Sequence, residues 1–281
     1  MGAPMAACVA RAGHALTLYD SVRERAMGTA AEIGCRVADD FDGLADSDFV
    51  VTMLPTGQIV RDLYLREGLA QKLRPGTVAI EMSSSDPVGT RELGAALAAL
   101  GIALIDAPVS GGVPRAVQGT LTIMVGGDDP AAIDRARPLL RAMGDRLFDT
   151  GALGSGHAMK ALNNFVAAAG FAACAEALLA GQRFGLDPAR MIEILNVSTG
   201  RSFHTDLVLR EHVVGGKFAT GFQLGLLAKD VRIAADLAHD LQLDAPLVRL
   251  VSERFETARD TLGFTRDHTE AIKAWDKNSA V

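Results

Sequence analysis

The sequence predicts an α/β protein whose first part is a doubly wound parallel sheet and whose second part is all helix. Short apolar, β-rich runs alternate with helical stretches through the first half, as they do when helices cover both faces of a parallel sheet. Those runs are nearly continuous in apolar residues, the mark of strands buried on both sides. Beyond about residue 151 the strand-like runs stop and helical patterns fill the rest. The expected domains are 1–152 and 153–281.

Strands are expected over 14–20 (HALTLYD), 49–54 (FVVTML), 77–82 (TVAIEM), 103–107 (ALIDA) and 121–127 (LTIMVGG). Alanine- and charge-rich segments, such as 87–100 and 130–143, suit the helices between them. In the second part helices are expected over 156–184, 187–197, 222–241 and 245–262, with a short one after 267. Asp187 before Pro188 reads as an N-cap followed by proline at the first helical position. The helix through 158–180 carries small residues on every face, which suits burial against the first domain and a second subunit. A homodimer or homotetramer is therefore expected.

Composition removes several classes of function. The net charge is -6 and no basic stripe is visible, so no nucleic-acid partner is expected. Apolar runs are interrupted by charge, so no membrane span is expected, and the N-terminus lacks the layout of a signal peptide. Cys8, Cys35 and Cys174 stand far apart, as reduced thiols of a cytoplasmic protein would. The six histidines are scattered too, so no metal site is expected.

Doubly wound sheets bind dinucleotides at a glycine-rich turn after their first strand. Met1-Gly2-Ala3-Pro4-Met5-Ala6 reads as the tail of a G-x-G-x-x-G fingerprint, with Gly2 as its third glycine. Asp20 follows 18 residues later, near the usual place of the acid that binds an adenosine ribose. An acid there favours NAD, with NADP the alternative because Arg23 and Arg25 lie close by. The first strand and two glycines are missing. That strand would be central in the sheet, so a further dozen or so residues are expected upstream, with Met1 an internal methionine.

Asp106-Ala107-Pro108-Val109-Ser110-Gly111-Gly112 follows a strand, so it falls at the carboxyl edge of the sheet, where ligands bind. Ser110, Gly111 and Gly112 can offer a hydroxyl and approachable N–H groups to a carboxylate, although an ordinary turn reads the same way. Gly154-Ser155-Gly156-His157-Ala158-Met159-Lys160 opens the long helix, with Asn163-Asn164 after it. Lys160 and Asn164 are spaced i, i+4 and share a face. A lysine on an Ala/Leu-rich helix has few solvated exits, and burial lowers its pKa toward what proton transfer needs; the alternative is a lysine that snorkels out. Lys229-Asp230, in an apolar helix, reads as an ion pair.

With these motifs in order, and with Leu54-Pro55-Thr56, Glu81-Met82-Ser83-Ser84-Ser85-Asp86-Pro87, Ser198-Thr199-Gly200-Arg201-Ser202 and Gly221-Phe222, the chain resembles the β-hydroxyacid dehydrogenases from Met1 to about Asp267. The resemblance implies a Rossmann-like domain and an NAD(P)-dependent enzyme that interconverts a short 3-hydroxy acid and its semialdehyde. It implies that Lys160 is the acid–base, with Asn164, Ser110, Gly111 and Gly112 on a small carboxylate substrate. Leu54, Pro55, Ser84 and Lys229 would line the cofactor, with Gly2 and Asp20 at its pyrophosphate and ribose. His157 stands where many relatives have Gln. Packing at the helix start is its expected role, and modulation of Lys160 the alternative. Two other readings are a phosphosugar-acid dehydrogenase of the same fold, using Arg201 and Lys217 for the phosphate, and a non-enzymatic dimeric binding module that has lost its cofactor.

Overall fold

The computed structural model describes residues 1–276. The chain divides between Lys160 and Ala161 into two compact units. In the first unit the helices are α1 (Gly2–Arg11), α2 (Arg23–Ile33), α3 (Gly57–Arg61), α4 (Leu69–Lys72), α5 (Pro87–Ala98), α6 (Gly112–Gln118) and α7 (Pro130–Met143). The strands are β1 (Thr17–Leu18), β2 (Arg36–Val37), β3 (Phe49–Thr52), β4 (Val78–Glu81), β5 (Ala103–Asp106), β6 (Val109–Ser110), β7 (Thr122–Gly127) and β8 (Arg146–Gly151). Helix α8 (Ser155–Phe184) begins in this unit and ends in the next, which holds α9 (Pro188–Asn196), α10 (Leu224–Asp240), α11 (Pro246–Leu262) and α12 (Ala271–Trp275).

Local chemistry sets several helix starts. Asp86, Asp129 and Asp187 each accept a backbone N–H of the first turn and precede a proline at its first position, so the expected cap at Asp187 is present. The sheet is more divided than a single parallel array. β1 pairs with β2 alone, and β3, β4 and β5 run parallel in that order. β7 joins β5 antiparallel, with β6 antiparallel and β8 parallel to β7. A doubly wound order of 3-2-1-4-5-6 has its first strand where the break between β1 and β3 falls. The described residues supply no strand there, and β1 is only two residues long where seven were expected.

The core of the unit lies on the two faces of β4, β5 and β7. Val78, Ile80, Met82, Ile105, Ile123 and Val125 pack with α1 and α7 on one side. Ala79 and Leu104 pack with Tyr64, Leu93 and Leu97 on the other.

In the second unit, α8 buries Ala168, Phe171, Ala172, Ala175 and Leu178 against residues of α10 and α11. By length and composition alone α8 could cross a membrane, against the expectation that charge interrupts every apolar run. One row of its side chains packs in the core, and 33% of its most apolar window is buried. A π-helical stretch, His204–Val214, was not expected from the sequence.

Candidate active site

The register of the three parallel strands puts Thr52, Glu81 and Asp106 side by side at their carboxyl ends, with Gly126 of β7 next in the row. All three polar residues are buried, and Asp106 is fully so. Buried carboxylates need partners, and the start of α8 supplies them. Asp106 Oδ1 accepts the Gly154 N–H and Oδ2 the His157 N–H, both at 2.8 Å. Asp106 therefore caps α8 from a strand 48 residues away in sequence.

The contact is tight enough to need glycines. A Cβ at Gly126 would lie 2.4 Å from Asp106 Oδ1, and one at Gly156 would lie 2.4 Å from the Met124 carbonyl oxygen. Gly154 has φ +88° and leads the chain into the helix.

His157, buried beneath this turn, faces Glu81 Oε2 through Nε2 at 2.7 Å and Thr90 Oγ1 through Nδ1 at 2.8 Å. Thr90 Oγ1 also lies 2.8 Å from the Asp86 carbonyl oxygen, which ties His157 to the first turn of α5. Nε2 faces a carboxylate, a setting that favours the charged form of the ring. The electrostatics agree. Burial alone would lower the His157 pKa, but Glu81 and then Asp106 and Asp86 raise it overall. Burial alone would raise Glu81, but the charge and hydrogen bond of His157, with Ser83 and Ser85, hold it below the ordinary carboxylate value.

Glu81 Oε1 accepts the Ser83 N–H at 2.8 Å, and Ser83 Oγ accepts the Leu54 N–H at 2.9 Å. The ends of β3 and β4, which carry Leu54, Pro55 and Ser84, are thereby tied together. Pro55 is exposed and Leu54 and Ser84 are half-buried. At the end of β5, Ser110 is half-buried, and Gly111 (φ +131°) and Gly112 (φ +66°) turn the chain through backbone angles that other residues rarely adopt. Lys160 is half-buried on α8, one turn after His157.

Asp20 follows β1 and accepts the Val22 N–H through Oδ1 at 2.8 Å. Arg23 is paired with Asp39, which offsets its charge next to Asp20. A Cβ at Gly2 would lie 3.9 Å from that of Met53, an ordinary contact that forces no glycine there.

The second unit joins two expected site residues through a third. Asn164 is buried and donates through Nδ2 to Asp230 Oδ2 at 2.5 Å, while Lys229 Nζ lies 3.0 Å from Asp230 Oδ1. The ion pair read from the sequence is present, and it also fixes which way the Asn164 amide points. Neither this role of Asp230 nor the capping role of Asp106 was legible in the sequence, because both bonds join distant segments. The cations considered for a phosphate are engaged locally, Arg201 with Asp206 at 2.9 Å and Lys217 with Glu211. Among the described residues no cluster of His, Cys, Asp or Glu is placed to hold a metal ion.

Residues 1–151 match the family described as the NAD binding domain of 6-phosphogluconate dehydrogenase. Residues 154–275 match that described as NAD-binding of NADP-dependent 3-hydroxyisobutyrate dehydrogenase. The chain belongs to the β-hydroxyacid dehydrogenase family. It is 32% identical to 2-(hydroxymethyl)glutarate dehydrogenase of Eubacterium barkeri, over 100% of this chain and 93% of that one. It is 35% identical to the NAD-dependent L-serine dehydrogenase of Pseudomonas aeruginosa, over 98% and 95% of the two chains. The structure of Mycobacterium tuberculosis 3-hydroxyisobutyrate dehydrogenase with L-serine superposes with a TM-score of 0.89 at 31% identity, covering 98% of this chain and 96% of that one. As a member of this β-hydroxyacid dehydrogenase family the chain is an NAD(P)-dependent oxidoreductase acting on a CH–OH group, and a non-enzymatic binding module is not favoured.

Proposed function

We propose that the chain oxidises a short 3-hydroxy acid to its semialdehyde, and catalyses the reverse, with Lys160 as acid–base. The observation that carries this reading is the grip of Asp106 on α8. One strand end holds the helix that bears Lys160, and the same segment continues into Ser110-Gly111-Gly112. A base and a carboxylate cradle are thus referenced to a single rigid point. The cofactor, when bound, supplies the hydride chemistry.

Lys160 Nζ takes the hydroxyl proton during oxidation and returns it to the nascent alkoxide during reduction. Ser110 and the N–H groups of Gly111 and Gly112 hold the substrate carboxylate, and Asn164, oriented by Asp230, binds the substrate. Leu54, Pro55, Ser84 and Lys229 line the nicotinamide cofactor, Asp20 takes its ribose and Gly2 lies at its pyrophosphate. Asp20, with Arg23 neutralised by Asp39, fits NAD better than NADP.

In this reading the first unit binds the cofactor, and the helical unit supplies substrate contacts and a surface for a homodimer or homotetramer. Phe184, Ile194, Val197, Phe203 and Leu207 are exposed there and are the apolar side chains such a surface would cover. The cysteines are all free, which suits a reducing compartment such as the cytoplasm.

The test is turnover of a panel of short hydroxy acids and semialdehydes, including 3-hydroxyisobutyrate and L-serine, with NAD and NADP. Lys160→Ala is expected to lower kcat at least about a hundredfold, the scale of general acid–base catalysis, with NADH affinity nearly unchanged. Wild-type turnover in that variant removes Lys160 from the mechanism.

A further inference from the structure

The two oxygens of Glu81 reach in different directions. Oε1 holds Ser83, and through it Leu54, in the loops that end β3 and β4. Oε2 holds His157, one helical turn before Lys160. We infer that the buried Glu81–His157 pair is a positioning element that fixes Lys160 relative to the Leu54 and Ser84 edge of the sheet. This rests on the acid–base reading of Lys160.

Two physical points support it. A buried ion pair is a poor source of stability, since two apolar side chains of the same volume commonly do as well or better. It is a good source of position, because the His157 ring is held at both nitrogens, Nε2 2.7 Å from Glu81 Oε2 and Nδ1 2.8 Å from Thr90 Oγ1. The helix start is meanwhile docked without slack, its Gly156 unable to take a Cβ beside Met124 and Asp106. Movement of the first turn of α8 therefore transmits to Lys160 along a continuous helix, and misplacement by about 1 Å costs on the order of a hundredfold in rate.

The experiment compares His157→Gln with His157→Asn, side chains of one chemistry that differ by one methylene in reach. It uses the full chain, with 3-hydroxyisobutyrate or L-serine as probe, whichever the wild type turns over. His157→Asn is expected to lower kcat about 10- to 100-fold, with the Kd for NADH, read by fluorescence, within about twofold of wild type. His157→Gln, which still spans to Glu81, is expected to recover kcat to within about threefold. The deuterium isotope effect at the carbinol carbon should rise in the Asn variant as hydride transfer becomes limiting.

If His157→Asn does not fold, Glu81→Asp makes the same test from the other partner and should give the same split. Equal kcat for the Asn and Gln variants overturns the inference, and so does a loss of NADH affinity as large as the loss of kcat. Failure of the underlying reading looks different: wild-type protein without turnover, or Lys160→Ala with full turnover.

Discussion

His204 gives the prediction whose size follows most directly from the structure. Its imidazole is 6% exposed and stands edge-on to Phe171 and Phe203, with ring centroids 5.8 and 5.5 Å away. Burial first, and then the nearby charge of His268, push its pKa down from 6.5 to about 4. A histidine depressed in the folded state destabilises that state as pH falls, because the unfolded chain takes up the proton first. The loss begins near the unfolded value and levels off below the folded one. Between about pH 7 and about pH 5 it amounts to about 2 kcal/mol.

His268, also depressed by burial, adds with the same sign. His157 works oppositely: its pKa is raised, so its contribution is complete below the unfolded value and is lost as pH rises through the folded one. The wild-type pH dependence mixes all three, and the comparison with His204→Phe isolates one. Urea unfolding followed by circular dichroism at the two pH values should show the wild type losing about 2 kcal/mol more than the variant. Equal losses in the two proteins would refute the depressed pKa and the buried, neutral ring behind it.

Three other outcomes are expected. Gly156→Ala forces a Cβ to within 2.4 Å of the Met124 carbonyl oxygen, and should cost about 1–3 kcal/mol in thermal or urea unfolding, with a fall in kcat. Asp230→Leu removes the group that orients Asn164 and pairs with Lys229; a loss of about 2 kcal/mol in stability is expected, with a higher KM for the hydroxy acid. Asp20→Ala should weaken NAD binding roughly tenfold while leaving NADP binding within about twofold, measured by fluorescence titration, because only NAD offers the ribose hydroxyl pair that the carboxylate receives.

The strands that β-rich apolar runs marked, β3, β4, β5 and β7, lie where the sequence puts them, because β4, β5 and β7 are buried at nearly every residue and β3, with Val51 exposed, keeps the same β-branched run. β8 was missed for the opposite reason: Arg146–Gly151 is an edge strand with mostly exposed residues, so nothing in its composition sets it apart from a loop. β2 and β6 are two residues each, shorter than any periodic signal. His204–Val214 winds as a π-helix, which shifts the spacing away from the 3.6-residue period by which helices are read.

Lys160 was legible as a candidate because it sits in a motif of neighbouring residues, and so were Ser110 to Gly112 and Asn164. The groups that hold them were not. Asp106 lies within a quoted motif, yet its work is to cap a helix 48 residues away, and Glu81 finds His157 from a different strand. The sequence by itself determined the class of fold, the family and the short motifs, since each is written in residues near one another along the chain. The tertiary structure decided which carboxylates are buried, what neutralises them and how the helix carrying Lys160 is locked to the sheet. Those are properties of register and close approach, set only when strands from separate segments line up Thr52, Glu81 and Asp106 in one row.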